Sequence, residues 1–327
     1  MPTLKIPPAL RFWTSTERLQ RSIWIMAALL GVISLAFGGY YYWDRFRPRG
    51  GISPAEQAIA DAEQAVRENP SDPQIRVSLA ALYYENYLYE QALKEAQQIL
   101  EVYPDNDDAL LIAGMASIRL KQPGQALPYL EKFAAIRETS PTANADMQLE
   151  MAYYFLGESL VALGQSEKAI EPLEAALRIV PTDADARYQL GLAYRNLGRY
   201  QEALTQFQKA VRLVPDFTEA YQGMESCYLA LGQEGALHYA RGMVAYGQGD
   251  YRTARAQLLE AASQRDDDPQ IWLGLGLTYE KLGDLQAAFD ALVRAQALAP
   301  HDLAVQQAYG RVQAALEAIH SQKENTP

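Results

Sequence analysis

Catalysis needs side chains that carry protons, bind metals or attack carbonyls, and this chain of 327 residues offers few of them. Its three histidines, His238, His301 and His320, lie far apart, and none has a second metal-ligand candidate at a helical spacing. The single cysteine, Cys227, excludes an internal disulfide and a cysteine metal cage. It stands beside Tyr228 in a helical segment and reads as a small buried apolar residue rather than a reactive thiol. Two acidic clusters, Asp105, Asp107 and Asp108, and Asp266, Asp267 and Asp268, lack the fixed spacing and final bidentate carboxylate of a calcium loop, so they read as helix caps. There is no phosphate-binding glycine loop, nucleophile elbow or zinc-protease motif. The expectation is a chain that is not an enzyme, with no cofactor, no metal and no small-molecule substrate.

Charge excludes another class. Of 29 Lys and Arg and 40 Asp and Glu, seven basic and two acidic residues fall within residues 1–49, which leaves 22 basic against 38 acidic in the remainder. A nucleic-acid binder needs the opposite sign over its main body.

What the sequence does offer is periodicity. Ala58, Ala92 and Ala126 fall 34 apart, as do Ala169 and Ala203, and Ala254 and Ala288, each within a helically periodic segment. A period of 34 marks a unit of two helices, here called A and B, stacked into a solenoid. The unit around Gly191 is the most complete, with Leu190, Gly191, Tyr194, Gly198, Tyr200, Ala203, Phe207, Ala210 and Pro215. Trp272, Leu275, Gly276, Tyr279, Gly283, Ala288, Ala295 and Pro300 repeat that register. At these residues the chain resembles the tetratricopeptide repeat (TPR) family, which implies an all-α, right-handed α-solenoid. The physical roles stand beside the resemblance. Gly191 and Ala203 suit the closest approach of the two helices, and Tyr194 and Phe207 fill the wider gaps. Gly198 ends helix A, and Pro215 stops helix B.

The repeats are not uniform. Residues 55–69 read as a lone helix B, and full units begin at residue 73. Ala126 to Ala169 is 43 residues, and the surplus falls in "ETSPTANAD" around Pro141, an extended turn or a projecting loop. Ala203 to Ala254 is 51 residues, one and a half periods. The segment 234–247 can therefore be the B helix of the unit bearing Tyr228 and Gly232, or the A helix bearing Gly242, but not both in an unbroken solenoid. We expect a kink there, with an N-terminal array over 55–233, a C-terminal array over 234–320 that ends in a capping helix, and a disordered tail over 321–327.

Ahead of the repeats, Ile23 to Trp43 holds no charge over 21 residues. At ~1.5 Å per residue this covers ~31 Å, about the hydrocarbon thickness of a bilayer. Trp24 at one end, and Tyr40, Tyr41, Tyr42 and Trp43 at the other, suit the headgroup levels. We read a single transmembrane helix over 23–43 between an N-terminal tail, 1–22, and a juxtamembrane linker, 44–54. The rival is a signal peptide cleaved near Ala36 and Gly38, against which the apolar stretch runs on through the aromatic cluster. Positive charges flank both ends, but a short tail with Lys5, Arg11, Arg18 and Arg21 resists translocation, so the repeats are expected outside the cytoplasm.

The TPR resemblance also implies a concave groove lined by A-helix positions 2, 5, 9, 12 and 13. Carried onto this chain, these include Val77, Tyr84 and Glu85 in the first unit, and Leu111, Met115, Ile118 and Arg119 in the second. The third unit supplies Tyr154, Glu158 and Val161, and the fourth Tyr188, Leu192, Arg195 and Asn196. The chaperone-binding branch of the family holds a carboxylate with Lys and Asn where this chain has Val77, Ala81, Tyr188 and Leu192, which disfavours a co-chaperone function. An apolar groove with few charges suits an extended apolar peptide or an amphipathic helix. The expected function is a membrane-anchored scaffold that binds partner proteins through the concave face. The alternative is a constitutive structural subunit of a larger membrane complex.

Overall fold

The structure is a computed structural model and describes residues 53–324. The tail, the apolar span 23–43 and nearly all of the linker therefore lie outside the described residues. Among the described residues no helix is long and apolar enough to cross a membrane.

The chain divides into two units, Met1–Ala58 and Ile59–Pro327. Of the first, the described part opens a helix with reciprocal bonds: Ser53 N donates to Glu56 Oε2 at 2.7 Å and Glu56 N to Ser53 Oγ at 3.2 Å.

The described residues form fifteen α-helices, one short 3₁₀ turn and no strand. After α1 (Pro54–Glu68) come α2 (Pro73–Glu85), α3 (Tyr89–Val102), α4 (Asp107–Arg119) and α5 (Pro123–Arg137). The 3₁₀ turn Ala143–Ala145 precedes α6 (Met147–Ala162), α7 (Ser166–Ile179), α8 (Ala184–Asn196), α9 (Tyr200–Leu213) and α10 (Thr218–Leu231). The last five are α11 (Glu234–Gly247), α12 (Tyr251–Gln264), α13 (Pro269–Leu282), α14 (Leu285–Leu298) and α15 (Leu303–Glu324). Thus α15 continues four residues into the stretch expected to be a tail.

Two layers arise because the two kinds of helix bury different fractions of their surface. B helices bury one stripe at i, i+1, i+4 and i+7, as Ala92, Leu93, Ala96 and Ile99 in α3 and Ala203, Leu204, Phe207 and Ala210 in α9. A helices are closed on several sides: α4 buries every residue from Ala109 to Gly114. The reason is that α2, α4, α6, α8 and α10 pack on one another in succession as well as on their B partners. In five of the A–B pairs a glycine stands opposite a large side chain sixteen residues later: Gly114 on Leu130, Gly157 on Leu173, Gly191 on Phe207, Gly242 on Leu258 and Gly276 on Leu292. A Cβ at any of them would come within 2.3–2.6 Å of that side chain, so the alanine-sized neighbour is excluded.

The turn from A to B needs a left-handed residue. Gly164, Gly198, Gly232, Gly249 and Gly283 supply it, whereas the first two full units use Tyr87 (φ 63°) and Lys121 (φ 59°), where a side chain carries a conformational cost. Helices of the A layer begin at capping side chains, among them Asp72, Asp146, Asp183 and Asp268. At the first acidic cluster the cap is Asn106 rather than an aspartate; Asp105 and Asp107 instead pair with Lys132 (2.8 Å) and Arg137 (3.0 Å). The surplus residues around Pro141 form a compact turn, closed by Arg137 Nε on Asp146 Oδ2 at 2.7 Å and by the Tyr153 hydroxyl on Glu138.

The segment 234–247 takes both of its candidate roles. Helix α11 packs on α10 as a B helix and on α12 through Gly242 as an A helix. The A layer then continues through α11, α13 and α15. One cluster of buried side chains runs from Leu160 through Tyr228, Tyr239 and Leu258 to Ala291, so residues on both sides of 233 share a core. A single helix can do this because its two faces carry different sets: Gly242 toward α12, Tyr239 and Met243 toward α10 and α13.

Candidate functional site

The inner face of the A layer is the surface that the repeats build in common, and its side chains come from successive helices. Starting from α2, the Tyr84 hydroxyl accepts a bond from Arg119 Nε at 3.4 Å. The Arg119 guanidinium lies 5.7 Å above the Phe155 ring, so one exposed cation links α2, α4 and α6. Its pKa is raised, first by the Tyr84 hydrogen bond, with the Glu158 carboxylate adding to it. Glu158 is half-buried with Oε2 lacking a partner, and burial pushes its pKa up although Arg119 opposes the shift. One turn earlier on α6, the half-buried Tyr154 has its ring 5.1 Å from Phe155, and burial raises its hydroxyl. Tyr188, on α8, sits between Phe207 at 5.8 Å and Phe217 at 5.0 Å. Met115, Ile118, Val161 and Leu192 are half-buried apolar residues along the same face.

Not every residue expected on this face reaches it. Val77 and Leu111 are 6% and 5% exposed, closed into the seams between helices, because adjacent A helices approach closely enough to seal position 5 in the first two units. Asn196 donates from Nδ2 to Ser166 Oγ (3.2 Å) on the B helix α7, and accepts at Oδ1 from Arg195 (3.3 Å). Glu85 is exposed at the end of α2.

Sequence reasoning missed one acidic residue here. Glu150, in the first turn of α6, is 8% exposed, and its Oε1 has no partner. Burial, and then the neighbouring Asp183 that caps α8, push its pKa up to about 8. Nothing in a single sequence separates such a glutamate from a solvated one.

A second stretch of inner face was also missed, on α11 and α13. The positions that give Tyr188 and Leu192 on α8 give Tyr239 and Met243 on α11, and Leu273 and Leu277 on α13. With the start of α15 as one end, and the C-terminal turn of α9 and the side of α10 as a wall, they enclose a cavity of about 240 Å³. The Tyr239 hydroxyl is buried against Tyr221, and burial holds its pKa well above the usual phenol value. The signal was available, since the spacing of Gly242 and Gly249 repeats that of Gly191 and Gly198, but the register of 234–247 had two readings.

Two of the reactive side chains, Cys227 and His238, are structurally engaged. Cys227 is fully buried and burial pushes its thiol up to about 11. The His238 Nδ1 lies 2.9 Å from Gln257 Oε1, tying α11 to α12. His301 is exposed in a turn, and the side chain of His320 lies outside the described residues.

A tetratricopeptide repeat family model matches residues 82–141, 152–216 and 239–302, more than half of the chain. No curated relative matches it. Among solved structures, the chain is similar to MamA 41-end from Desulfovibrio magneticus RS-1, with 22% identity and a TM-score of 0.47 over 55% of this chain and 96% of that one. It is also similar to YrrB, described as a TPR protein with an unusual peptide-binding site, with 20% identity and a TM-score of 0.43 over 76% and 96%. A third is a tetratricopeptide repeat protein from Parabacteroides merdae ATCC 43184, with 13% identity and a TM-score of 0.46 over 86% and 98%.

Proposed function

The chain belongs to the tetratricopeptide repeat family, and on that premise we propose that it is a non-catalytic, membrane-anchored scaffold that binds segments of partner proteins on the inner face of its A helices. The observation that carries this reading is the half-buried row of Tyr84, Met115, Ile118, Tyr154, Tyr188 and Leu192, interrupted by the charges of Arg119, Glu158 and Arg195. Aromatic and aliphatic side chains held partly out of the core give contact area at low entropy cost, and a few charges fix the register of whatever lies on them. Partners are proteins; the excess of acidic over basic residues in the repeats argues against nucleic acid.

The apolar span 23–43 would hold this face at a membrane, with the repeats outside the cytoplasm. The half-step at α11 then separates two successive binding faces, one on α2, α4, α6, α8 and α10 and one on α11, α13 and α15. The test places a photo-crosslinking amino acid at Met151, which is 39% exposed at position 2 of an A helix, or at Leu259, which is 46% exposed on a B helix. Discrete adducts from Met151 alone, lost on Tyr154→Glu and Tyr188→Glu with helicity unchanged, are the expected result. Equal adducts from both positions would remove the assignment to the inner face. Digestion of the repeats by protease added to intact spheroplasts, against protection until lysis, tests the orientation.

A further inference from the structure

The cavity on the C-terminal inner face exists because the A layer passes from α10 to α11 within one unit. In a regular solenoid the flank of an A helix is covered by the next unit; here Tyr221, Met224 and Tyr228 of α10 remain as a wall beside the floor formed by Tyr239, Met243 and Leu273. The result is a recess, open on one side, instead of a flat groove. Its volume, about 240 Å³, lies below the range of ~300–1,000 Å³ of sites that enclose whole small molecules, and suits one large side chain. Two methionines in the lining give it an adaptable apolar surface.

The rim indicates what accompanies that side chain. Four charged residues border the cavity. Arg265 pairs with Asp268 at 2.8 Å, and Asp302 accepts from Gln270 at 3.1 Å and from the backbone N–H of Ala304 and Val305. Arg212, on the last turn of α9, is exposed and forms no hydrogen bond or ion pair among the described residues. It is the one rim charge without a partner among them.

We infer that this recess anchors a partner protein through a bulky aromatic side chain followed by an acidic residue, the ring entering against Val211, Leu277 and Ala304, the half-buried apolar members of a lining whose Met224, Met243 and Leu273 are buried, and the carboxylate pairing with Arg212. This rests on the reading of the inner A face as the partner-binding surface. It goes beyond that reading in naming the place and the chemistry of the anchor.

The methionines allow both statements to be tested in one spectrum. In the full chain in detergent, labelled at the methionine methyl carbons, Met224 and Met243 report on the recess, and Met115, Met147 and Met151 on the N-terminal A helices. The probe is the capped peptide Ac-Ser-Phe-Glu-Ser-NH₂, with Ac-Ser-Ala-Glu-Ser-NH₂ and Ac-Ser-Phe-Gln-Ser-NH₂ as controls. The expected result is saturable shifts of Met224 and Met243 with the Phe-Glu peptide, no such shifts with the Ala peptide, and about fivefold weaker binding of the Gln peptide, the scale of an exposed charge pair. Ala304→Leu, which extends a side chain into the recess, abolishes the shifts. Arg212→Glu, at an exposed side chain with no structural bonds, weakens the Phe-Glu peptide at least as much as the Gln control does.

Shifts confined to Met115, Met147 and Met151 would overturn the anchor and leave the inner-face reading standing. No shift of any methyl would overturn the anchor, while the crosslinking experiment decides the inner face separately. Shifts of Met224 and Met243 that are equal for the Phe and Ala peptides, or that survive Ala304→Leu, would also overturn it.

Discussion

Replacing Glu150 with glutamine is expected to stabilise the array above neutral pH and to leave it unchanged in acid. The carboxyl lies between α6 and α8, 8% exposed, with Oε1 unpartnered and the Asp183 carboxylate beside it raising its pKa. Its pKa in the folded chain is about 8, against an ordinary 4.5. The sign follows from proton counting. Below pH 4.5 folded and unfolded chains both hold the proton, and the residue has no effect; between 4.5 and about 8 the folded chain holds it and the unfolded chain releases it, so stability falls as pH rises and levels off above 8. The ceiling is about 1.4 kcal/mol per pH unit. Water reaches the rim of this seam and Asp183 is itself partly solvated, so the total is discounted to about 1–3 kcal/mol.

Glutamine keeps a donor toward Asp183 and removes the titration. Thermal melts of wild type and Glu150→Gln by circular dichroism, at pH 3.5 and pH 8.5, isolate the difference from all other titrating groups. The variant should match wild type at pH 3.5 and melt several degrees higher at pH 8.5, on a scale of about 2–4 °C per kcal/mol for a chain of this size. A variant that is less stable than wild type at pH 8.5, or a difference that does not change with pH, would refute the protonated Glu150–Asp183 contact.

Three further outcomes follow from the packing. Phe207 is fully buried between Gly191 of its own unit and Gly223 of the next, so Phe207→Ala should cost about 3–5 kcal/mol and loosen α8 and α10 together, read as lost hydrogen-exchange protection in both. Lys121 sits at φ 59° in the slot that glycine fills in later units, and Lys121→Gly should stabilise by about 0.5–1 kcal/mol in urea unfolding. The Cys227 thiol, fully buried and raised to about 11, should resist a disulfide reagent at pH 8 in the native chain and react at once in denaturant.

The parts of the fold legible in the sequence are those where one residue type has one physical use. Gly191 opposite Phe207 and Gly198 at a left-handed turn mark their helices unambiguously, and the period of 34 orders the units. The site was less legible because a side chain's exposure depends on neighbours remote in sequence. Val77 and Tyr84 occupy equivalent kinds of groove position, yet the first is sealed by α4 and the second is left partly open. Glu150 reads as a solvated surface charge until Asp183 is brought against it. Helix α11 was ambiguous for a different reason: its sequence satisfies two registers at once, and only packing on α10 and α12 together shows that both are in use.

That double use gives the array a grammar. A solenoid built from pairs can gain or lose a pair anywhere and keep the same side chains facing inward. With α11 serving as second member of one pair and first of the next, the interval between Ala203 and Ala254 amounts to one and a half periods, so every helix after it has exchanged parity with every helix before it. Duplication or deletion by one period stays silent if it falls wholly before α10 or wholly after α12. Deletion of one period that includes α11 would instead bring two helices of the same layer into succession, turning buried stripes outward and burying inner faces. The half-step therefore acts as a punctuation mark that a deletion between repeats cannot remove without loss, and engineered shortening of this protein is open on either side of it but not through it.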